Sequence, residues 1–192
     1  MSPMLADRSV RDLLSAFSSS DPTPGGGSAS ALASAIGASL LIMVTGLPKT
    51  RNGSDEDRQA LAAARAALEG LRQTLVNAID ADTKAYDEVV AAYKLPKATA
   101  GEQTARKEAI QRALRAATDV PLGVVRASAD ALAHARSVEA HGNPNAASDV
   151  GVAVALLKAG AQGARLNVEI NLGSVTDGGY ADRVRTDLEL FL

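Results

Sequence analysis

Residues 54–93 read SDEDRQALAAARAALEGLRQTLVNAIDADTKAYDEVVAAY. Leu61, Ala64, Leu68, Leu71, Leu75, Ile79, Tyr86, Val89 and Tyr93 follow one another in helical steps, with Asp82 at the position between Ile79 and Tyr86. That spacing is the period of an α-helix with one face turned inward. Ser54 suits an N-cap, and Asp55, Glu56 and Asp57 fall in the first turn, where the helix dipole favours anions. The stretch predicts one continuous helix over residues 55–93.

The flanking sequence follows the same pattern. Val10, Leu13, Leu14 and Phe17 give one apolar face to a helix over 9–17, which the Ser/Pro/Gly-rich stretch 18–27 ends. A second helix is expected over 28–47. From Gly25 to Leu47 there is no charged residue, a length that matches a membrane span. The segment is built of Ala, Ser and Gly, has no aromatic belt and sits among amphipathic helices, so it reads as the buried centre of a bundle.

Residues 48–54 form a turn, and Leu95-Pro96-Lys97 ends the third helix. A fourth helix is expected over 102–135, with Ile110, Leu114, Ala117, Val124 and Ala131 on one face and a kink from Pro121 near 117–120. Residues 141–145 read as a loop and 147–172 as a fifth helix. Tyr180, Val184, Leu188 and Phe191 mark a last helix over 180–192, capped by Thr176 or Asp177.

About a fifth of the chain is Ala, the best helix former, and runs of β-branched and aromatic residues are nearly absent. The fold class is therefore all-α: an antiparallel, up-and-down helical bundle of about five or six helices, in one domain over 1–192. The small side chains on two helices imply tight packing, within the chain or across a dimer.

Composition excludes several function classes. The chain has 192 residues and no Cys, which removes disulfides, thiol nucleophiles and thiolate metal sites. Two His cannot build a multi-His metal centre, so no metal is expected. Twenty basic against 22 acidic residues and 3% aromatics give no nucleic-acid footprint. No basic segment precedes an apolar run near Met1, so the expectation is a cytoplasmic protein without membrane contact.

Polar residues on buried faces are the informative departures. Asp82 lies on the stripe, where desolvation raises a carboxyl pKa toward the range useful for acid–base work. The plainer reading is a structural Asp bonded to Lys, Arg or a helix terminus. Asp80 lies off the stripe and reads as solvated. On the fifth helix, Lys158, Arg165 and Glu169 share a solvent-facing stripe. Asp149, Asn167 and Asn171 fall opposite, with Ala153, Leu156 and Gly160. That face suits either a polar cleft for a heterocycle or an interhelical hydrogen-bond network. Pro24-Gly25-Gly26-Gly27-Ser28 opens a helix and offers backbone N–H groups to an anion, or is simply a tight turn. It lacks the ending of a Walker loop and the preceding strand of a Rossmann turn. Lys94, Lys97, Arg106 and Lys107 cluster around Pro96, as a solvated face or an attractor for an acidic substrate tail. His141 is assigned no role.

Taken together, these segments resemble the cyclodeaminase/cyclohydrolase family of one-carbon folate metabolism. The resemblance rests on Pro24–Ser28, Asp80-Ala81-Asp82 with Ala85-Tyr86, Leu95-Pro96-Lys97 and Val120-Pro121-Leu122. It continues in Gly142-Asn143 with Ser148-Asp149, in Gly163-Ala164, and in Asn167-Val168 with Ile170-Asn171-Leu172. The family includes the cyclodeaminase half of formiminotransferase-cyclodeaminase and stand-alone methenyltetrahydrofolate cyclohydrolases. The resemblance implies a homodimer that binds a tetrahydrofolate derivative in a cleft near its interface, with Asp82 as proton donor and Asn143, Asp149, Asn167 and Asn171 in the pocket. The Gly-rich helix start and Lys97 are candidates to hold substrate carboxylates. No cofactor beyond the folate substrate is implied. With no formiminotransferase domain, the chain looks more like the cyclohydrolase branch. The alternatives are a cyclodeaminase and a non-catalytic helical adaptor.

Overall fold

A computed structural model describes residues 4–191, and among them every regular element is helical. The helices are α1 (Val10–Phe17), α2 (Gly26–Thr45), α3 (Asp55–Tyr93), α4 (Ala100–His141), α5 (Ala147–Leu172) and α6 (Gly178–Phe191). Short 3-10 turns form at Leu5–Asp7 and Pro144–Ala146. Leu192, expected in the last helix, lies outside the described residues.

The starts follow from caps. Ser9 Oγ accepts from Asp12 N at 3.2 Å, and Ser54 Oγ accepts from Asp57 N at 3.1 Å. Thr99 and Glu102 form a reciprocal capping box, which begins α4 two residues earlier than its expected start at Glu102. Asp177, not Thr176, caps α6 by accepting from Tyr180 N at 3.0 Å. At its far end α4 runs six residues past the expected Ala135, because nothing breaks the helix before Gly142 and Val138 is buried in the core. His141 therefore ends a helix rather than lying in a loop. α4 also continues through Pro121.

His141 has a partner. Asp57, with a side chain only 2% exposed, accepts from Asn52 N at 2.6 Å and from Thr50 Oγ1 at 3.1 Å, and lies 2.9 Å from His141 Nδ1. The His141 hydrogen bond, then the Asn52 N–H, hold the Asp57 carboxyl at about 2. This cluster ties the turn between α2 and α3 to the end of α4.

Helices α2 to α5 form the bundle. α2 touches α3, α4 and α5, so the one helix long and apolar enough to cross a membrane among the described residues is the core helix of this bundle. α2 meets α5 antiparallel and very closely. Gly37 of α2 faces the backbone of Ala153, and Gly160 and Gly163 of α5 face Ser34 and Ser30 of α2. The fully buried Ser34 and Ser128 hydroxyls are 2.7 Å apart, and Ser128 Oγ is 2.7 Å from the Val124 carbonyl, which links α2 to α4. One apolar cluster joins Leu41, Leu68, Val138 and Leu157; a second joins Leu75, Ile79, Val125 and Val168. α6 docks on α4 through Ala181, Val184 and Leu188 in the second cluster.

Two apolar stripes are only partly covered. In α1, Leu13 is buried but Val10 and Leu14 are exposed. In α3, the stripe is largely buried as far as Ile79, whereas Tyr86 and Tyr93 are 41% and 50% exposed. α2 begins beside Asp82, so the last part of α3 packs mainly against α4, around Ala92, Ile110 and Leu114, with Val175 from the connection after α5 beside them.

A Cβ at Gly160 would fall 2.6 Å from the Ser30 carbonyl and 3.0 Å from Ser34 N, both backbone. Gly160→Ala should therefore force α2 and α5 apart and cost about 1–3 kcal/mol. Urea unfolding followed by circular dichroism should show a lower midpoint with helix content retained. An unchanged midpoint would mean that the seam is not tight.

Candidate functional site

The gap left where α3 and α4 outrun α2 is a cleft of about 310 Å³. Gly25, Gly26 and Gly27 from the start of α2 line it, with Pro22 and Thr23 before them. Asp82, Tyr86 and Val89 of α3, Leu114 and Ala117 of α4, and Asn167 and Asn171 of α5 complete it.

Asp82 sits at the first turn of α2. Gly25 is the N-cap and supplies no side-chain bond, so the carboxylate from α3 takes that part. Asp82 Oδ2 accepts from Ser28 N at 2.9 Å and from Ser28 Oγ at 3.2 Å. Ser28 Oγ also lies 2.7 Å from the Ile79 carbonyl. The contact to a helix terminus is the plainer reading of Asp82, and it is met at Oδ2. Asp82 Oδ1 rests against Gly27, and a Cβ there would overlap it. Burial raises the carboxyl above its ordinary value, and the Ser28 N–H and hydroxyl pull it back down. Gly27 is thus required by close approach.

The two amides are tethered. Asn167 Nδ2 donates to the Gly163 carbonyl at 2.8 Å, and its amide lies against Gly26. Asn171 Nδ2 donates to the Ala117 carbonyl of α4, also at 2.8 Å. Both remain half-buried at the wall of the cleft.

The structure therefore brings together Gly25, Gly26, Gly27, Ser28, Asp82, Asn167 and Asn171, with Pro24 inside the same turn. It does not bring in Lys97, Asn143 or Asp149. Lys97 is exposed beyond the end of α3, where its carbonyl accepts from Gln103. Asn143 Oδ1 accepts from Asn145 N at 3.0 Å and so caps the turn before α5. Asp149 lies in the first turn of α5, eighteen residues and about 27 Å along the helix from Asn167. Helical angle alone groups Asp149 with the amides, and angle carries no information on height. Asp80, expected to be solvated, accepts from Leu5 N at 2.6 Å and Ala6 N at 3.2 Å, capping the first 3-10 turn.

Residues 9–190 match the formiminotransferase-cyclodeaminase family. The chain belongs to that family. It is 40% identical over 97% of its length to a methenyltetrahydrofolate cyclohydrolase of Methylorubrum extorquens, and covers 89% of that protein. It is 32% identical over 94% of its length to the formimidoyltransferase-cyclodeaminase of Rattus norvegicus, but spans only 34% of that larger protein. Among solved structures it resembles the formiminotetrahydrofolate cyclodeaminase of Thermotoga maritima. The TM-score is 0.84, with 28% identity over 96% of this chain and 88% of that one. These family members are enzymes by name, which sets the adaptor reading aside.

Tyr86, Leu114 and Ala117 line the cleft without having been marked as site residues by the sequence. Tyr86 belongs to the stripe expected to be buried, although it stands one turn after Asp82 on the same face, which is signal enough. Leu114 and Ala117 read as ordinary core positions, and no local pattern marks them as cleft walls.

Gly27→Ala should push the Asp82 carboxylate off Ser28. A loss of activity about as large as that of Asp82→Asn is expected, with a lower thermal midpoint, read by scanning calorimetry and the assay below. Full activity in Gly27→Ala would show that the contact is dispensable.

Proposed function

We propose that this chain hydrolyses 5,10-methenyltetrahydrofolate to 10-formyltetrahydrofolate. The observation that carries the reading is the Asp82 carboxyl, half-buried at the cleft between α2 and α3 with its pKa raised. The relationship to the M. extorquens cyclohydrolase over nearly the whole length of both chains supports it.

The substrate carries a cationic N5–C–N10 amidinium. Water adds to its carbon, and a proton passes from that water to Asp82. The tetrahedral carbon then releases N5, which takes a proton from Asp82, while the carbinol hydroxyl gives up its proton to solvent and becomes the carbonyl of the formyl group left on N10. One carboxyl serves as base and then as acid, and a pKa lifted toward neutrality suits both steps. Its anionic form also opposes the amidinium charge. No metal or redox cofactor has a part in this scheme, and it belongs in the cytoplasm, where folates carry one-carbon units. A cyclodeaminase reaction, in which N10 attacks a formimino carbon and ammonia leaves, would use the same carboxyl. The similarity to the T. maritima structure favours it as the second reading.

Asp82→Asn should lower kcat about 10²–10⁴-fold. Turnover is followed by loss of the methenyl near-ultraviolet band above the spontaneous rate. In the wild type, kcat/KM should fall as pH drops through the raised Asp82 pKa, because only the carboxylate accepts the proton of water; the residual activity of Asp82→Asn should lack that limb. A raised pKa favours the fold at low pH and disfavours it as pH rises past that value. The variant should therefore melt no lower than wild type at neutral pH, and any advantage should shrink on acidification. Ammonia release from 5-formiminotetrahydrofolate without methenyl hydrolysis would move the protein to the second reading. Wild-type rates in Asp82→Asn would remove Asp82 from the chemistry.

We also propose that a second copy of the chain covers α2 and α5. Ile36 and Met43 of α2 and Val152, Leu166 and Ile170 of α5 are exposed, with Ile170 at 75%, and no charge interrupts α2. The two helices are neighbours, so a partner lying across both would bury these residues together. Sedimentation should give a dimer mass for the wild type and a monomer for Ile36→Lys with helicity intact. A monomeric wild type would refute it.

A further inference from the structure

Asn171 is held by a bond that a proline makes necessary. In an α-helix the carbonyl of residue i accepts from the N–H of residue i+4. The Ala117 carbonyl would accept from residue 121, and Pro121 has no N–H. Ala117 is half-buried and Pro121 fully buried, so a carbonyl left without a partner there is costly. Asn171 Nδ2, 54 residues along the chain, donates to it at 2.8 Å.

This bond removes a freedom that Asn normally has. A planar amide offers a donor edge and an acceptor edge, and a half-turn exchanges them. With Nδ2 committed to α4, Oδ1 is turned away from it. No described residue donates to Asn171 Oδ1, and the atom is not sealed in the core. Asn171 and Ala117 both line the cleft. Asn167 differs, because its amide binds the Gly163 carbonyl of its own helix.

We propose that Pro121 is a positioning residue of the cleft. By withholding a donor from the Ala117 carbonyl it recruits the Asn171 amide nitrogen, and so presents Asn171 Oδ1 as a fixed acceptor for an N–H of the bound heterocycle. The inference rests on the folate reading and deepens it, since it assigns the donor edge of the pterin, its N3–H and 2-amino group, to the α4–α5 wall. A ring presenting a carbonyl or lone pair there meets acceptor against acceptor, and the site rejects it.

The test uses the full chain and 5-formyltetrahydrofolate as the probe, titrated calorimetrically so that no turnover is needed. Pro121→Ala returns a helical N–H to Ala117 and releases Asn171. Its thermal midpoint should equal or exceed wild type, because Ala replaces a mid-helix proline. Its Kd for the probe should rise about tenfold, the loss expected for one oriented hydrogen bond. Asn171→Ala should weaken the probe at least as much while lowering the midpoint, because Ala117 is then orphaned. A merely structural Pro121 would move the midpoint and leave Kd alone. Wild-type affinity in folded Pro121→Ala overturns the proposal. Should that variant not fold, Asn171→Ala decides: lost affinity supports the acceptor, and wild-type affinity overturns it. A wild-type chain that binds no folate overturns the folate reading itself, whereas a binding wild type with unaffected variants removes only this inference.

Discussion

Where α2 crosses α5, side chains give way to backbone. Gly37 lies on the backbone of Ala153, and Gly160 and Gly163 lie on Ser34 and Ser30. Dispersion falls steeply with distance, so such contact is favourable only when nothing larger intervenes. On the sides of α2 that meet α3, α4 and α5, a charged side chain would find neither water nor room. Because the seam fixes α2 along α5, it also fixes the height of the first turn of α2. That height sets Ser28 against Asp82 and Gly26 against Asn167.

The cleft follows from unequal helix lengths. α3 and α4 have 39 and 42 residues, whereas α2 and α5 have 20 and 26. Beyond Asp82 the long pair has no α2 to cover it, and the apolar stripe of α3 opens to solvent at Tyr86. The polar side chains at this edge each do two things. Asp82 satisfies the N-terminus of α2 through one oxygen, and Asn171 satisfies the carbonyl orphaned by Pro121. In each case the other polar atom, an oxygen, is left at the cleft. Binding groups are thereby held by bonds that the fold requires anyway, which is how a site gains order without added strain.

Much of this was legible in the chain. The α3 stripe marked Asp82 as an intruder, and the 3.6-residue period set Asn167 and Asn171 on one face. What escaped were contacts between distant segments. Asp57 looked like an ordinary acidic residue of a first helical turn, yet it is buried against His141, 84 residues away. Asp80 looked solvated, yet it caps residues 5–7. Asp149 shares an angle with the two amides but not their height, and Asn143 holds its own loop.

Helix, face and capping are local properties, written in spacings of three and four residues and in the side chains at each terminus. The sequence therefore determined the all-α class, most helix starts and the burial of α2. Which polar groups meet depends on the axial offset between helices, which glycine and serine contacts set in three dimensions. Only the tertiary structure decided that Asp82 meets Ser28, that Asn171 answers for Pro121, and that Lys97, Asn143 and Asp149 stand outside the cleft.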